Sequence, residues 1–284
     1  MALYVDNYTS TISNCSLCTL MTSTYNSTVC QISFYFQAIV ICIILPLNIW
    51  TLLLMTKANT TNRSSTPSDL LHFNVIFASV IFCIGLALKC LFIIYISNIY
   101  LYYGSAYIRI ISLIAQTQFH TWIFLENYLA VVHPIFYLKL KQFRYKMVWV
   151  SFTWVTATAF GGTGIFVQKT IATLVYIIPV SGMIVLILFC GMATLSALKK
   201  PNPGDGERGK KMHHRKLKAF RIITLTLVVL IVSYSPYICF NIIWQQIRPE
   251  LICTAQTIVN ALLFPGFVVQ SFLYISRFFK AQGP

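Results

Sequence analysis

The stretch FLENYLAVVHP, residues 124–134, closes a long apolar segment with an acid, Glu126, and is soon followed by a basic run. Such an acid is unusual here, because the 284-residue chain is 57% hydrophobic and only 10% charged. Segments of about 20 apolar residues, enough to cross roughly 30 Å of hydrocarbon, recur along almost its whole length. The composition therefore predicts a polytopic membrane protein rather than a set of soluble domains.

Seven such segments can be distinguished. Each is longer than a transmembrane β-strand and lacks the alternation of a barrel, so the backbone must satisfy its hydrogen bonds within helices. The predicted fold class is an all-α membrane protein, a seven-transmembrane helix bundle. Its predicted spans are 32–56, 70–97, 103–132, 147–167, 171–198, 219–244 and 252–276.

The distribution of positive charge predicts the orientation. Of the 21 Lys and Arg residues, 17 fall on one side of the predicted bundle and four on the other. Short cytoplasmic loops carry the excess of Lys and Arg, so the N-terminus is predicted outside and the C-terminus inside. The net charge of +15 lies in loops beside the membrane, which favours attraction to anionic membrane lipids over binding of nucleic acid.

The predicted extracellular tail, residues 1–31, carries glycosylation sequons at Asn7, Asn14 and Asn26. It has no signal-peptide pattern, so the first helix is expected to act as the signal anchor, and residues 277–284 form a short cytoplasmic tail. We predict a multi-pass glycoprotein of the plasma membrane.

Cysteines outside the cell more often pair than stay free. Cys253, at the outer start of the seventh segment, is the natural distant partner of the tail, and either Cys18 or Cys30 could form the bond. Neither a metal nor a cofactor is predicted. His213 and His214 lie in a basic loop without a Cys or carboxylate ligand at suitable spacing.

The chain resembles the rhodopsin-like (class A) G-protein-coupled receptors over roughly residues 32–280. ENYLAVVHP is similar to DRYLAVVHP at the end of that family's third helix, and this is the most specific match. The other matches are Asn48 in LPLNIW, the segment LLHFNVIFAS, Trp154, Pro179, SYSPY for the family's CWxP and QSFLY for its NPxxY. The resemblance implies a signalling switch made of Glu126, Asn127, Tyr128, Pro236 and Tyr274.

Departures from the family pattern fall at functional positions. They are Asn127 for the family's Arg, Ser79 for its second-helix Asp, Tyr234 for its Trp, Gln270-Ser271 for its Asn-Pro and Tyr102 for its third-helix Cys. Asn127 cannot form the family's ion pair with the neighbouring acid. Glu126 is therefore expected to be neutral, hydrogen-bonded to Asn127 or to loop donors, or paired with a nearby basic residue such as Lys139.

Ionisable residues within membrane segments are costly and are functional candidates. By the resemblance, Lys89 and Arg109 face the outer half of the bundle cavity and are neighbours across it, while no acid lies in the outer half of any predicted helix. Two such cations predict an anionic ligand, although Lys89 could instead snorkel to the interface. The remaining predicted ligand contacts are Tyr102, Tyr107, Tyr234, Tyr237, Asn241 and Lys169.

The favoured hypothesis is a cell-surface receptor for an extracellular, anionic small molecule or lipid. Its inner partner would be a heterotrimeric G protein or arrestin, and receptor dimers are compatible with it. One alternative is a non-signalling scavenger or dimerisation partner of the same fold. A small transporter is less favoured, because no internal repeat is present, and an enzyme is not predicted, because the segments hold no paired acids.

Overall fold

A computed structural model of the chain describes residues 28–60, 67–91, 99–166, 169–199, 207–243 and 249–282. All of them except a short connection at residues 141–142 and His133 are helical, which confirms the predicted all-α class. Within these residues there are eight helices. They are α1 Thr28–Thr60, α2 Pro67–Leu91, α3 Ile99–Val132, α4 Pro134–Leu140, α5 Phe143–Phe166, α6 Lys169–Lys199, α7 Glu207–Ile243 and α8 Pro249–Gln282.

Five stretches of the described helices are long and apolar enough to cross a membrane. They are Phe34–Ala58, Ser68–Leu91, Ile177–Lys199, Phe220–Ile243 and Thr257–Ser276. The chain is therefore a transmembrane protein. α3 and α5 do not meet the same measure of apolarity, although they overlap the third and fourth predicted segments.

The packing of α3 explains its polarity. Every residue from 111 to 120 is buried, including Gln116, Thr117 and His120. α3 contacts α2, α5 and α6, while the other long helices form a ring in which α1 packs on α2 and α8, and α7 on α6 and α8. A helix enclosed by other helices touches little lipid, so it can carry polar side chains that bond to its neighbours.

Two clusters of apolar side chains fill the ring. The larger joins α1, α2, α3, α6, α7 and α8, and at its centre Phe82 stacks on Phe267 with ring centroids 4.3 Å apart. The smaller joins α2, α3 and α5, where Trp122 stacks on Trp149 at 4.8 Å and Phe119 meets Trp154 edge-on at 5.9 Å. These aromatic contacts fix α5 against α3.

Helix ends differ from the predicted segments in two informative places. α7 begins at Glu207, twelve residues before the predicted 219, because the run after the Pro and Gly residues of 201–206 consists mostly of good helix formers. α8 begins at Pro249, where proline suits the first helical position, so Glu250 lies in its first turn. The sequence predicted a start at residue 252, so Glu250 lies within a helix where none was expected.

Candidate functional site

A buried polar cluster surrounds Glu126 where α3 approaches its end. Glu126 Oε1 accepts hydrogen bonds from Lys146 Nζ at 2.6 Å, from the Ser68 hydroxyl at 2.5 Å and from the Tyr137 hydroxyl at 3.3 Å. Lys146 Nζ also donates to the Ser68 hydroxyl at 3.3 Å. One carboxylate oxygen therefore joins four elements, with Ser68 on α2, Glu126 on α3, Tyr137 on α4 and Lys146 on α5.

Glu126 and Lys146 form a buried ion pair, with their side chains 8% and 1% exposed. Removing both charges from water is costly, and the mutual attraction offsets that cost only when the remaining polar atoms are also bonded. Ser68 and Tyr137 supply those additional bonds. The complete cluster is consequently stable, and removal of either charged residue should destabilise the fold.

The basic partner of Glu126 is Lys146. The sequence had suggested Lys139 as an example of such a partner. Lys139 is exposed, as are Lys141 and Arg144 in the same run, whereas Lys146 lies one turn inside α5 and points into the bundle. The sequence does contain a signal for this difference: Lys146 immediately precedes an apolar helical segment. Helical periodicity alone could not identify which buried acid it meets.

Tyr137 lies in the short helix α4 outside the membrane-crossing stretches. Its pKa is raised, first by burial and then by the negative charge of Glu126 and the hydrogen bond that it donates to that carboxylate, while a bond with Ser68 opposes the shift. Tyr137 therefore remains a protonated donor at neutral pH and holds α4 against the end of α3.

The other predicted switch residues are dispersed around this cluster. Asn127 is half-buried and takes no part in the bonds to Glu126. The Tyr128 hydroxyl lies 3.5 Å from His133 Nε2, and its ring packs near Phe189. The last two positions are Pro236, which lies within α7, and Tyr274, which lies on α8 within electrostatic reach of Asp69.

Lys89 and Arg109 come together at the other end of α2. Lys89 is only 5% exposed and therefore does not extend to the surface. Gly85, one turn earlier on the same face, lies so close to α3 that a Cβ there would be 2.7 Å from Arg109 Cγ. Arg109 Nε donates to the Ser105 carbonyl at 3.2 Å, and its charge acts on Lys89. Ser68 and Lys89 are 21 residues apart on α2, which corresponds to about 30 Å along a helix.

The predicted lining residues have different environments. Tyr107 is half-buried and packs against the smaller apolar cluster. Tyr234 is 2% exposed in the larger cluster, where Tyr237 also packs, and Asn241 Nδ2 bonds to the Tyr237 carbonyl at 2.7 Å. The side chains of Tyr102 and Lys169 lie outside the described residues. Contact of these six residues with a ligand stays a prediction.

Polar side chains also join the helices between the cluster around Glu126 and the pair Lys89 and Arg109. The Ser271 hydroxyl donates to Asn48 Oδ1 at 2.6 Å, Gln116 Nε2 donates to the Ser79 hydroxyl at 3.1 Å, and Trp154 Nε1 donates to Asn74 Oδ1 at 3.0 Å. His72 Nδ1 and Gln270 Oε1 lie 3.0 Å apart. Several positions with motif matches or departures, among them Asn48, Ser79, Trp154 and Ser271, thus contact other helices.

His120 is the least expected member of this buried layer. It is completely buried, and neither ring nitrogen has a hydrogen-bond partner among the described residues. His72 is close enough to act on it electrostatically. No group of three or more metal-binding side chains occurs in the part of the chain that the structure describes, so the pair is not completed into a metal site there.

Comparison with known proteins found no matching family model and no matching curated protein.

The sequons at Asn7, Asn14 and Asn26 and the cysteine Cys18 fall outside the described residues, as do the side chains of Cys30 and Cys253. Glycosylation and the disulfide therefore stay predictions.

Proposed function

We propose that the chain is a seven-helix receptor of the plasma membrane, with its N-terminus outside, which binds an extracellular anionic small molecule or lipid. In this proposal α3 and α5 cross the membrane together with the five more apolar helices. The family resemblance of the motifs supports the proposal, as does the packing of α3 inside a ring of long helices.

The observation that carries the proposal is the burial of Lys89 beside Arg109. An ammonium group that is 5% exposed has lost most of its hydration, and no ion pair to Lys89 is formed among the described residues. A neighbouring guanidinium increases the cost, because like charges repel strongly where the dielectric constant is low. A carboxylate or phosphate group bound at the Lys89 ammonium would offset both effects.

The test is ligand-induced stabilisation of the full chain in nanodiscs. The probes are a monocarboxylate, a dicarboxylate, inorganic phosphate and a lysophospholipid with a phosphate headgroup, each beside its neutral analogue. A ligand present at 100 times its dissociation constant stabilises the folded state by about 2.7 kcal/mol. We expect at least one anionic probe to raise the unfolding midpoint of the native chain.

Variants separate a specific site from general attraction of anions. Lys89→Met should abolish the increase, whereas Lys199→Met, which removes an exposed cation at the end of α6, should retain it. The proposal fails if no anionic probe has an effect, or if Lys89→Met responds as the native chain does.

A second candidate, a non-signalling member of the same fold, is favoured by one specific observation. The acid of the switch is bound by Lys146, and Asn127 lies where the resembled family has its Arg. Asn127→Arg should increase basal G-protein activation or arrestin recruitment in cells if the native switch has lost its output. Equal activity of the native chain and the variant, above that of untransfected cells, would instead favour the receptor.

A further inference from the structure

The short helix α4 exposes apolar side chains that no part of the described structure covers. Ile135 is 78% exposed, Leu138 66% and Phe136 55%, and none of the seven residues of α4 is buried. With 100° between successive helical residues, Ile135 and Lys139 lie opposite Tyr137, the residue that bonds to Glu126. The apolar face of α4 therefore points away from the bundle.

The contacts of Tyr137 place α4 at the boundary of the membrane. Tyr137 bonds to Glu126 Oε1, and the same oxygen accepts a bond from Ser68. Ser68 is the first residue of a stretch that is long and apolar enough to cross a membrane, Ser68–Leu91. One hydrogen-bonded cluster thus connects α4 to the end of a crossing helix, and α4 has little freedom to leave that level.

The charges along the chain on and after α4 have one sign. Lys139, Lys141 and Arg144 are all exposed, and the sequence contains no acidic residue between Glu126 and Asp205. Glu126 is itself paired with Lys146. Basic residues beside a membrane are attracted to anionic headgroups, and apolar side chains in the same element add burial in the interface.

α5, which follows α4 after two residues, also has exposed apolar side chains. Val148, Phe152 and Val155 form an exposed apolar stripe at helical spacing, and Arg144 stands at its beginning. An apolar stripe that ends in a basic residue is typical of a lipid-facing helix at the headgroup level. Tyr137 of α4 and Lys146 of α5 bond to the same Glu126 oxygen, so α4 lies at the level where this stripe begins, and lipid is a more consistent occupant of its exposed face than a separate protein.

We infer that α4 is an interfacial anchor that binds the anionic headgroup layer of the membrane that the chain spans. Ile135, Phe136 and Leu138 enter the interface, and Lys139, Lys141 and Arg144 contact phosphate or carboxylate groups of the lipids. The inference does not depend on the ligand or on any signalling output.

Hydrogen exchange of the full chain in nanodiscs tests this inference. The amides of residues 134–144 are followed by mass spectrometry in phosphatidylcholine discs and in discs that also contain phosphatidylserine. One surface cation contributes about fivefold in membrane affinity, so exchange should be at least about fivefold slower in the phosphatidylserine discs.

Two variants and a matched control identify the interaction. Lys139→Gln/Arg144→Gln should abolish the difference between the discs, and Ile135→Ser should accelerate exchange in both. Lys199→Gln/Arg221→Gln, which removes two exposed cations elsewhere, should exchange like the native chain. The inference is overturned if exchange is the same in both kinds of disc, or if slowing requires an added soluble protein.

Discussion

At the scale of single residues, the cluster around Glu126 depends on charge balance more than on any one hydrogen bond. Lys146 and Glu126 are both buried, and each is the compensating charge of the other. Neutral partners such as Ser68 adjust the geometry, but they cannot replace a missing ion. The loss of Lys146, a position outside every motif recognised in the sequence, should therefore be about as costly as the loss of Glu126.

We expect Lys146→Met to destabilise the chain by about 3–5 kcal/mol, because it leaves the Glu126 carboxylate buried without a counter-ion. Reversible unfolding by SDS measures the loss. Lys141→Met, at an exposed position five residues earlier, should have little effect. Glu126→Gln/Lys146→Met should recover most of the stability, since both charges are gone and the Gln oxygen can still accept from Ser68. If the double variant were no more stable than Lys146→Met, charge imbalance would not be the cause.

The hydroxyl of Tyr137 reports on the same carboxylate. Its pKa is raised by burial, by the charge of Glu126 and by the bond to it, so it should ionise above its ordinary value near 10. An unfolded chain ionises first as pH rises, so this contribution to stability is complete below pH 10 and is lost as the pH approaches the folded pKa.

In the Glu126→Gln variant we expect the pKa of Tyr137 to fall part of the way back, because the charge is removed and the burial remains. The chemical shift of the labelled tyrosine ring, assigned by its disappearance in Tyr137→Phe, measures it. An unchanged pKa in Glu126→Gln would mean that burial alone raises the pKa.

At the scale of the helices, close approach of backbones decides which elements can pack together. Gly161 on α5 faces α3, and a Cβ there would lie 2.6 Å from Ile111 Cγ1 and 3.3 Å from Tyr107 Cε2. The adjacent Gly162 has no heavy atom within 4 Å of the same position. Two neighbouring glycines therefore have different roles, one permitting the contact of α3 with α5 and the other facing open space.

Gly161→Ala should consequently destabilise the chain by about 1–3 kcal/mol, since the added methyl group must displace Ile111. Gly162→Ala provides the control, and its greater helix propensity should leave stability unchanged or increase it by up to about 1 kcal/mol. SDS-induced unfolding of the two variants in parallel is the measurement. Ile111→Ala, which removes the obstructing Cγ1, should cost less in the Gly161→Ala background than in the native chain. Equal effects of Gly161→Ala and Gly162→Ala would contradict this account.

The positions of the long helices could largely be predicted from the sequence, for a physical reason. Apolar segments of membrane-spanning length cannot leave backbone groups unpaired in lipid, so helices at all seven predicted positions follow from composition. Their contacts do not follow in the same way. The pairing of Glu126 with Lys146, 20 residues away, depends on how α5 is rotated, and a basic run gives no sign of which lysine turns inward.

At the scale of the whole molecule, the ring of helices around α3 allows a membrane protein to carry a polar helix. The helices that contact lipid are apolar, while the enclosed helix carries Gln116, Thr117, Gln118 and His120 without contact with lipid. Apolarity alone therefore identifies five crossing stretches among the described helices. Lys89 and Arg109 could be anticipated from the sequence as two ionisable residues in apolar segments, whereas the burial of Lys89 depends on the packing of α2 against α3.

The same arrangement predicts that α3 and α5 cross the membrane despite their polarity. A polar insertion that carries a glycosylation sequon can be placed after residue 95, between α2 and α3, or after Gln142, between α4 and α5, in a chain whose Asn7, Asn14 and Asn26 are replaced by Gln. If α3 crosses, the two insertions lie on opposite sides, and only the first should be glycosylated in the lumen. The measurement is a gel shift that a peptide N-glycosidase removes.

If α3 and α5 do not cross, both insertions lie outside and both are modified, while the C-terminus stays inside in either case. Modification of both insertions would therefore reduce the bundle from seven crossing helices to five.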